Sequence, residues 1–236
     1  MKTIDKLRQL CPTISVGVLT ADLMNLEDEL NLLEGTGVEI LHFDVMDGCF
    51  TPMMTVGPPY VKGIRTKLLK DVHLMVTEPL EKVAAYVAAG ADIITVHAES
   101  ELHIHRVFQA LGSMENVNDP ERGLVRGVAL NPGTPLSVIE PVLDEVEMIT
   151  LVAINPGWGG QKLIPATFDR LHQVKELVAA SGRQILTCID GGVTRANIGE
   201  IAAHGPDLVV TGSAVFDGKA PTENGRFMLE AFRSRD

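Results

Sequence analysis

Residues 41–48 read LHFDVMDG. The surrounding run, EILHFDVM at 39–46, has the apolar, β-branched content of a strand buried in a parallel sheet, and Asp47-Gly48 is a turn signal that ends it. His42 and Asp44 nevertheless stand two positions apart, so both project from the same face of that strand. An imidazole and a carboxylate on an otherwise apolar ribbon carry a desolvation cost unless something pairs with them. The stretch therefore predicts a buried strand whose end does chemistry.

Working outward, seven more Val/Ile-rich runs share this form: TISVGVL (13–19), DVHLMV (71–76), DIITVHA (92–98), VRGVAL (125–130), MITLVAI (148–154), QILTCID (184–190) and DLVVTG (207–212). Segments with helical periodicity lie between them. Leu23, Leu26, Leu30 and Leu33 form a stripe that stops at Gly35, and after Pro165 the residues Phe168, Leu171, Val174 and Val178 form another that ends near Gly182. Strand–helix–strand alternation implies parallel pairing. Eight such units predict an α/β protein of one closed (β/α)8 barrel, the TIM barrel, occupying residues 1–236 as a single domain. The polar stretch 112–123, GSMENVNDPERG, reads as a loop insertion.

Composition narrows the class of function. The formal charge is −11, from 31 acidic and 20 basic residues, with no basic stripe to neutralise nucleic-acid phosphates. Cys11, Cys49 and Cys188 are scattered and lack Cys-x-x-Cys spacing, which argues against a disulfide framework or a thiolate zinc site and fits a reducing cytoplasm. The opening residues MKTIDKLRQL lack a signal-peptide core, and no apolar run reaches membrane-spanning length. The expectation is a soluble cytoplasmic protein with neither nucleic acid nor membrane as partner.

In a barrel of this kind, reactive groups sit at the C-terminal ends of the strands. His42 and Asp44 fall near the end of the second strand, His73 lies in the third, and Asp190 ends the seventh before Gly191-Gly192. A lone histidine in a barrel is usually hydrogen-bonded filler, and an aspartate before Gly-Gly is usually a turn former. Four such groups converging on one end form an N₂O₂ set suited to a single divalent zinc, iron, cobalt or manganese ion. His97 and Glu99, ending the fourth strand, could support that set from behind. His103, His105, His172 and His204 read as solvated surface, and Asp47 as a residue that shapes the turn. Glycines recur at the same end of neighbouring strands, in NPGWGGQ (155–161), DGG (190–192) and GSA (212–214). Such loops let backbone N–H groups approach a phosphate.

The same residues carry a family likeness. LHFDVMDG with FTP and GPP following, DVHLMV, GADIITVHAE, LNPGTP, NPGWGGQ, DGGV and VTGSAVF, in this order, make the sequence resemble the ribulose-phosphate 3-epimerase family through nearly its whole length. The resemblance implies a divalent metal held by His42, Asp44, His73 and Asp190, with Asp44 and Asp190 as the catalytic acid/base pair. It further implies that Gly157, Trp158, Gly159, Gly160, Gly191, Gly192, Gly212 and Ser213, together with His73, bind the phosphorylated substrate. The implied substrate is a small ketose phosphate, D-ribulose 5-phosphate in the first instance, and the implied assembly is a homo-oligomer.

Four positions depart from the family pattern. Gly17 stands where a serine contacts substrate, Cys49 and Met53 replace a histidine and an asparagine, and Val152 replaces a methionine. These changes leave open a 3-epimerase of another ketose phosphate, such as D-allulose 6-phosphate, or a sugar-phosphate sensor without turnover. A barrel lyase related to the orotidine-phosphate decarboxylases and hexulose-phosphate synthases would carry Asp-x-Lys-x-x-Asp, whereas Asp44-Val45-Met46-Asp47 lacks the lysine.

Overall fold

Side chains that alternate between the two faces of a strand need two separate apolar surroundings, and a closed barrel supplies one inside and one outside. A computed structural model describes residues 1–234. Among these, strands β1 (Thr13–Gly17), β2 (Ile40–Met46), β3 (Leu69–Met75), β4 (Ile93–His97), β5 (Val125–Leu130), β6 (Met148–Val152), β7 (Leu186–Asp190) and β8 (Leu208–Thr211) pair in chain order. The barrel closes where β1 runs parallel to β8, Thr13 opposite Leu208 and Val16 opposite Thr211. Each of the eight runs read from the sequence is a strand of this (β/α)8 barrel.

Helix α1 (Thr3–Leu10) precedes the first strand, and α2 (Leu26–Asn31), α3 (Pro58–Gly63), α4 (Val83–Ala88) and α5 (Ile104–Gly112) follow the first four strands in turn. After β6, β7 and β8 come α6 (Ala166–Ser181), α7 (Ile198–His204) and α8 (Pro221–Arg233). Between β5 and β6 the crossover is made by the 3₁₀ segments Leu136–Val138 and Glu140–Glu145 instead of an α-helix.

Period-two alternation sorts β2 and β3 residue by residue. Leu41, Phe43, Val45, Val72 and Leu74 join the large cluster between sheet and helices. Ile40 and Leu69 point into the barrel, where they meet Ile93, Val125, Met148, Leu186 and Leu208, with Leu7 of α1 closing the bottom. Going up the same inward face, the column turns polar: Ile40 is followed by His42 and Asp44, and Leu69 by Asp71 and His73. Parallel register sets His42 opposite Asp71 and Asp44 opposite His73.

One expectation about the connections changes. Leu23 does not belong to the helix after β1. The carboxylate of Asp22 accepts hydrogen bonds from Met24 N (3.0 Å) and Asn25 Nδ2 (2.7 Å), making an Asx turn that leaves Leu23 exposed and delays the helix to Leu26. The second stripe forms a helix as read, ending at Gly182 with φ +68°. The polar stretch 112–123 forms a loop, as read, with a short 3₁₀ turn at Pro120–Arg122. Asn116 Nδ2 donates to Asp92 Oδ1 (3.0 Å) and Gly123 O (3.1 Å), Asn118 Nδ2 donates to Gly90 O (3.0 Å), and Thr3 Oγ1 donates to Gly123 O (3.0 Å). These bonds fasten the loop to the start of β4 and to α1, at the end of the barrel opposite the polar column.

Candidate active site

The upper ends of β2, β3 and β7 bring four side chains to one point. His42, Asp44, His73 and Asp190 each offer one ligand atom, and these atoms all lie within 4.8 Å of one another. His42 Nε2 is 3.3 Å from Asp44 Oδ1 and 3.7 Å from Asp190 Oδ2, while His73 Nδ1 is 2.9 Å from Asp190 Oδ2. His73 Nδ1 is fully buried and makes no hydrogen bond, because the approach of Asp190 is close but misdirected. A buried imidazole nitrogen without a hydrogen-bond partner, aimed at two carboxylates, is disposed as a cation ligand. The donor set therefore fits a divalent metal, as two nitrogens and two carboxylate oxygens suit zinc, iron, cobalt or manganese.

Each imidazole is held from behind. His42 Nδ1 donates to Asp71 Oδ2 at 2.8 Å, and the same oxygen accepts from Ser15 Oγ at 2.9 Å. Asp71 is absent from the sequence reading, although Asp71-x-His73 repeats the two-residue spacing of His42-x-Asp44. His73 Nε2 lies 2.9 Å from His97 Nε2, with the two rings stacked at 4.9 Å, and His97 Nδ1 lies 3.2 Å from Glu99 Oε2. The expectation that His97 and Glu99 back the cluster is met. Of the surface histidines, His172 pairs with Glu176 at 3.3 Å and His204 stacks on Phe168 at 4.0 Å.

Charge in the cluster is asymmetric. Burial works against protonation of His42, but Asp71 and Asp44 outweigh it and hold the imidazole protonated well above its ordinary range. Burial raises the Asp44 carboxyl, yet the charge and the hydrogen bond of His42 bring it below its ordinary value. For Glu99, burial is overcome by hydrogen bonds from His97, Thr134 and Asn131, and the carboxyl is held at about 2. Burial drives His97 towards its neutral form.

Above the cluster opens a cavity of about 880 Å³. Asp44, His73 and Asp190 form part of its floor, and Met46 and Met75 continue the inward column along its wall. Gly157, Trp158, Gly159, Gly160, Gly191, Gly192, Gly212 and Ser213 all line it, as do Gly17, Met53 and Val152. Cys49 is exposed and is not part of the lining. Two of the glycines are required by geometry: Gly191 and Gly192 have φ of +100° and +70°, and a Cβ on Gly192 would stand 2.6 Å from Leu163 N. The loops after β6 and β7 are thus in backbone contact, with no room between them for a side chain.

The profile of the Ribulose-phosphate 3 epimerase family matches residues 13–216. The chain belongs to this family. Ribulose-phosphate 3-epimerase of Escherichia coli K12 is 40% identical over 208 residues, covering 86% of this chain and 88% of the relative. The Bacillus subtilis protein of the same name is 39% identical over 206 residues, covering 86% and 91%. Among solved structures, 3-hexulose-6-phosphate synthase from Salmonella typhimurium superposes with a TM-score of 0.67 over 95% of this chain and all 100% of its own, at 17% identity, a likeness of fold alone. The chain is therefore an epimerase-family isomerase on a TIM barrel, and no helix among its described residues is long and apolar enough to cross a membrane.

In this epimerase-family barrel Asp47 shapes the loop at the cavity mouth, as expected. Its Oδ1 accepts from Cys49 N and Phe50 N, both at 2.9 Å, and its Oδ2 accepts from Thr77 N at 2.8 Å and Thr77 Oγ1 at 2.9 Å. That ties the β2 loop to the β3 loop and sets the Phe50 ring 4.7 Å from His97. Burial opposes ionisation, but the donors from Phe50, Thr77 and Cys49 prevail and hold the carboxyl at about 2. The folded value lies below the unfolded one of about 3.9. The stabilisation is therefore complete above that unfolded value and is lost as pH falls through about 2. Asp47→Ala should unfold about 1–3 kcal/mol more easily at neutral pH, with the gap to wild type closing in acid. Denaturant titrations at several pH values check both parts; a gap independent of pH would contradict the assignment.

Proposed function

We propose that this enzyme is a metal-dependent ketose-phosphate 3-epimerase interconverting D-ribulose 5-phosphate and D-xylulose 5-phosphate. The observation that carries the reading is the convergence of Asp44 and Asp190, from non-adjacent strands, on one cation-sized cluster beneath a glycine-rimmed cavity. Inverting the carbon beside a ketone removes a proton from one face and delivers one to the other, so two acid/base groups must flank the substrate. Asp44 and Asp190 take these roles alternately, and the direction of reaction decides which begins as base.

Loss of the proton at C3 leaves an ene-diolate whose oxygens carry negative charge. His42, Asp44, His73 and Asp190 would hold one zinc, iron, cobalt or manganese ion, and the unpartnered His73 Nδ1 supports that role. When bound, such an ion supplies Lewis-acid stabilisation of the developing charge. Backbone N–H groups of Gly157, Gly159, Gly160, Gly191, Gly192 and Gly212, with Trp158 and Ser213, surround the phosphate, and His73 borders the sugar. Met46 and Met75 keep water from the reacting carbon.

Gly17 favours a second reading, an epimerase of another ketose phosphate such as D-allulose 6-phosphate. It lines the cavity without a side chain, although a Cβ there would make only ordinary contact, 3.5 Å from Gly212 Cα. Met53 and Val152 make the same wall more apolar. A cytoplasmic setting is supported by three cysteines that form no disulfide among the described residues, and a homo-oligomer by the apolar Leu23, Met24 and Leu32 left exposed around α2.

The test is a panel of pentulose and hexulose phosphates incubated in deuterated water and followed by NMR at C3. Exchange is expected with D-ribulose 5-phosphate, and its loss is expected after the protein is stripped with a chelator. Binding without exchange for every sugar would make the protein a sensor and end the proposal; faster exchange with a hexulose phosphate would select the second reading.

A further inference from the structure

His97 and Glu99 lie outside the cavity lining, yet they meet the cluster through one contact. His73 Nε2 and His97 Nε2 are 2.9 Å apart and both rings are buried, so one nitrogen carries a hydrogen and the other a lone pair. Two hydrogens would collide there, and two lone pairs would repel. The far end of the chain sets the direction. Glu99 Oε1 already accepts from Asn131 N at 2.8 Å and from Thr134 Oγ1, and as a carboxylate Glu99 can only accept from His97 Nδ1 as well.

With its hydrogen on Nδ1, a singly protonated His97 presents a lone pair at Nε2, and His73 must donate from its own Nε2. His73 Nδ1 is then bare. The opposite placement would put a hydrogen on His73 Nδ1, which stands 2.9 Å from Asp190 Oδ2 but is misdirected for a hydrogen bond to it, at the cost of a poorly satisfied donor. Packing holds the chain in line, with the His73 and His97 rings 11° from parallel and Phe50 against His97.

We infer that Glu99, acting through His97, fixes the tautomer of His73 so that Nδ1 faces Asp44 and Asp190 as a lone pair. His97 and Glu99 are thus positioning residues, one and two hydrogen bonds removed from the cluster. The inference rests on the reading of that cluster as a cation site, and it deepens that reading by naming what prepares one ligand to bind.

Glu99→Gln is the discriminating variant. The carboxamide keeps the shape of the side chain, and its oxygen can still accept from Asn131 N and Thr134 Oγ1, which turns its NH₂ group towards His97 Nδ1. Every hydrogen bond in the chain then reverses, and His73 Nδ1 acquires the hydrogen. A merely structural glutamate would tolerate this exchange.

Two measurements on the full chain decide the matter. In ¹⁵N NMR of the metal-free proteins, His73 should be protonated at Nε2 in wild type and at Nδ1 in Glu99→Gln. Zn²⁺ affinity, measured by competition with a chromophoric chelator, should fall about 10- to 100-fold in the variant while its melting temperature stays close to wild type. Equal Zn²⁺ affinities, or Nδ1-protonated His73 in wild type, would overturn the inference. The wild-type tautomer decides even if the variant does not fold. A wild type that binds no divalent cation yet shows the Nε2 tautomer would instead defeat the cation reading and leave the relay standing.

Discussion

Asp190→Asn should leave a folded barrel whose turnover is lower by about 10² to 10⁴. The backbone at this position is fixed independently of the side chain: Asp190 O accepts from Ala153 N at 2.7 Å, and β7 pairs with β6 and β8 on either side. An asparagine fills the same volume, so the strand and the glycine turn after it have no reason to move. What disappears is a group able to accept and return a proton, and with it one anionic oxygen of the four-atom cluster. Asp44→Asn should behave alike, because Thr55 Oγ1 donates to the backbone oxygen of Asp44, not to its carboxylate. Steady-state turnover and C3 deuterium exchange, read beside circular dichroism and melting temperature, check the expectation. Near-normal turnover by either purified, folded variant would remove the two-base mechanism.

Gly192→Ala should cost about 10²-fold in kcat/KM, the scale of loss that follows from misplacing a substrate by about 1 Å. Alanine in this left-handed backbone conformation is strained by about 1–2 kcal/mol. The larger effect is contact: the new Cβ would meet Leu163 N at 2.6 Å and Leu163 Cα at 2.8 Å, and backbone cannot swing aside as a flexible side chain does. The loops after β6 and β7 must separate, and the proposed phosphate site lies between them. Gly63→Ala at the end of α3 is the control, since a Cβ there meets nothing within 4 Å and the residue lies outside the cavity lining. Kinetics of both variants over a range of sugar phosphate concentrations, with thermal melts, make the comparison. If Gly192→Ala matched Gly63→Ala, the phosphate would have to bind elsewhere.

Most of the barrel was legible because each strand is a Val/Ile-rich run closed by a turn, a local pattern that burial on both faces imposes. His42 and Asp44 were legible for a similarly local reason, since two-residue spacing fixes a shared face. Asp71 carried the same signal but was passed over: at the start of a strand, a carboxylate reads as exposed until its neighbour across the sheet is known. That neighbour is His42, 29 positions away in sequence. Leu23 misled because helical spacing records periodicity but not the Asx turn at Asp22 that starts the helix late.

By itself, then, the chain determined the strands, the inward faces that carry histidine and aspartate, and the glycine-bearing turns, for these follow from residue type and period over a few positions. Only the tertiary structure decided which inward groups meet: the Asp71–His42 and Glu99–His97–His73 contacts. Those depend on register between strands and on closure of the barrel, and hydrogen-bond direction is set by neighbours that folding alone brings within 3 Å or so.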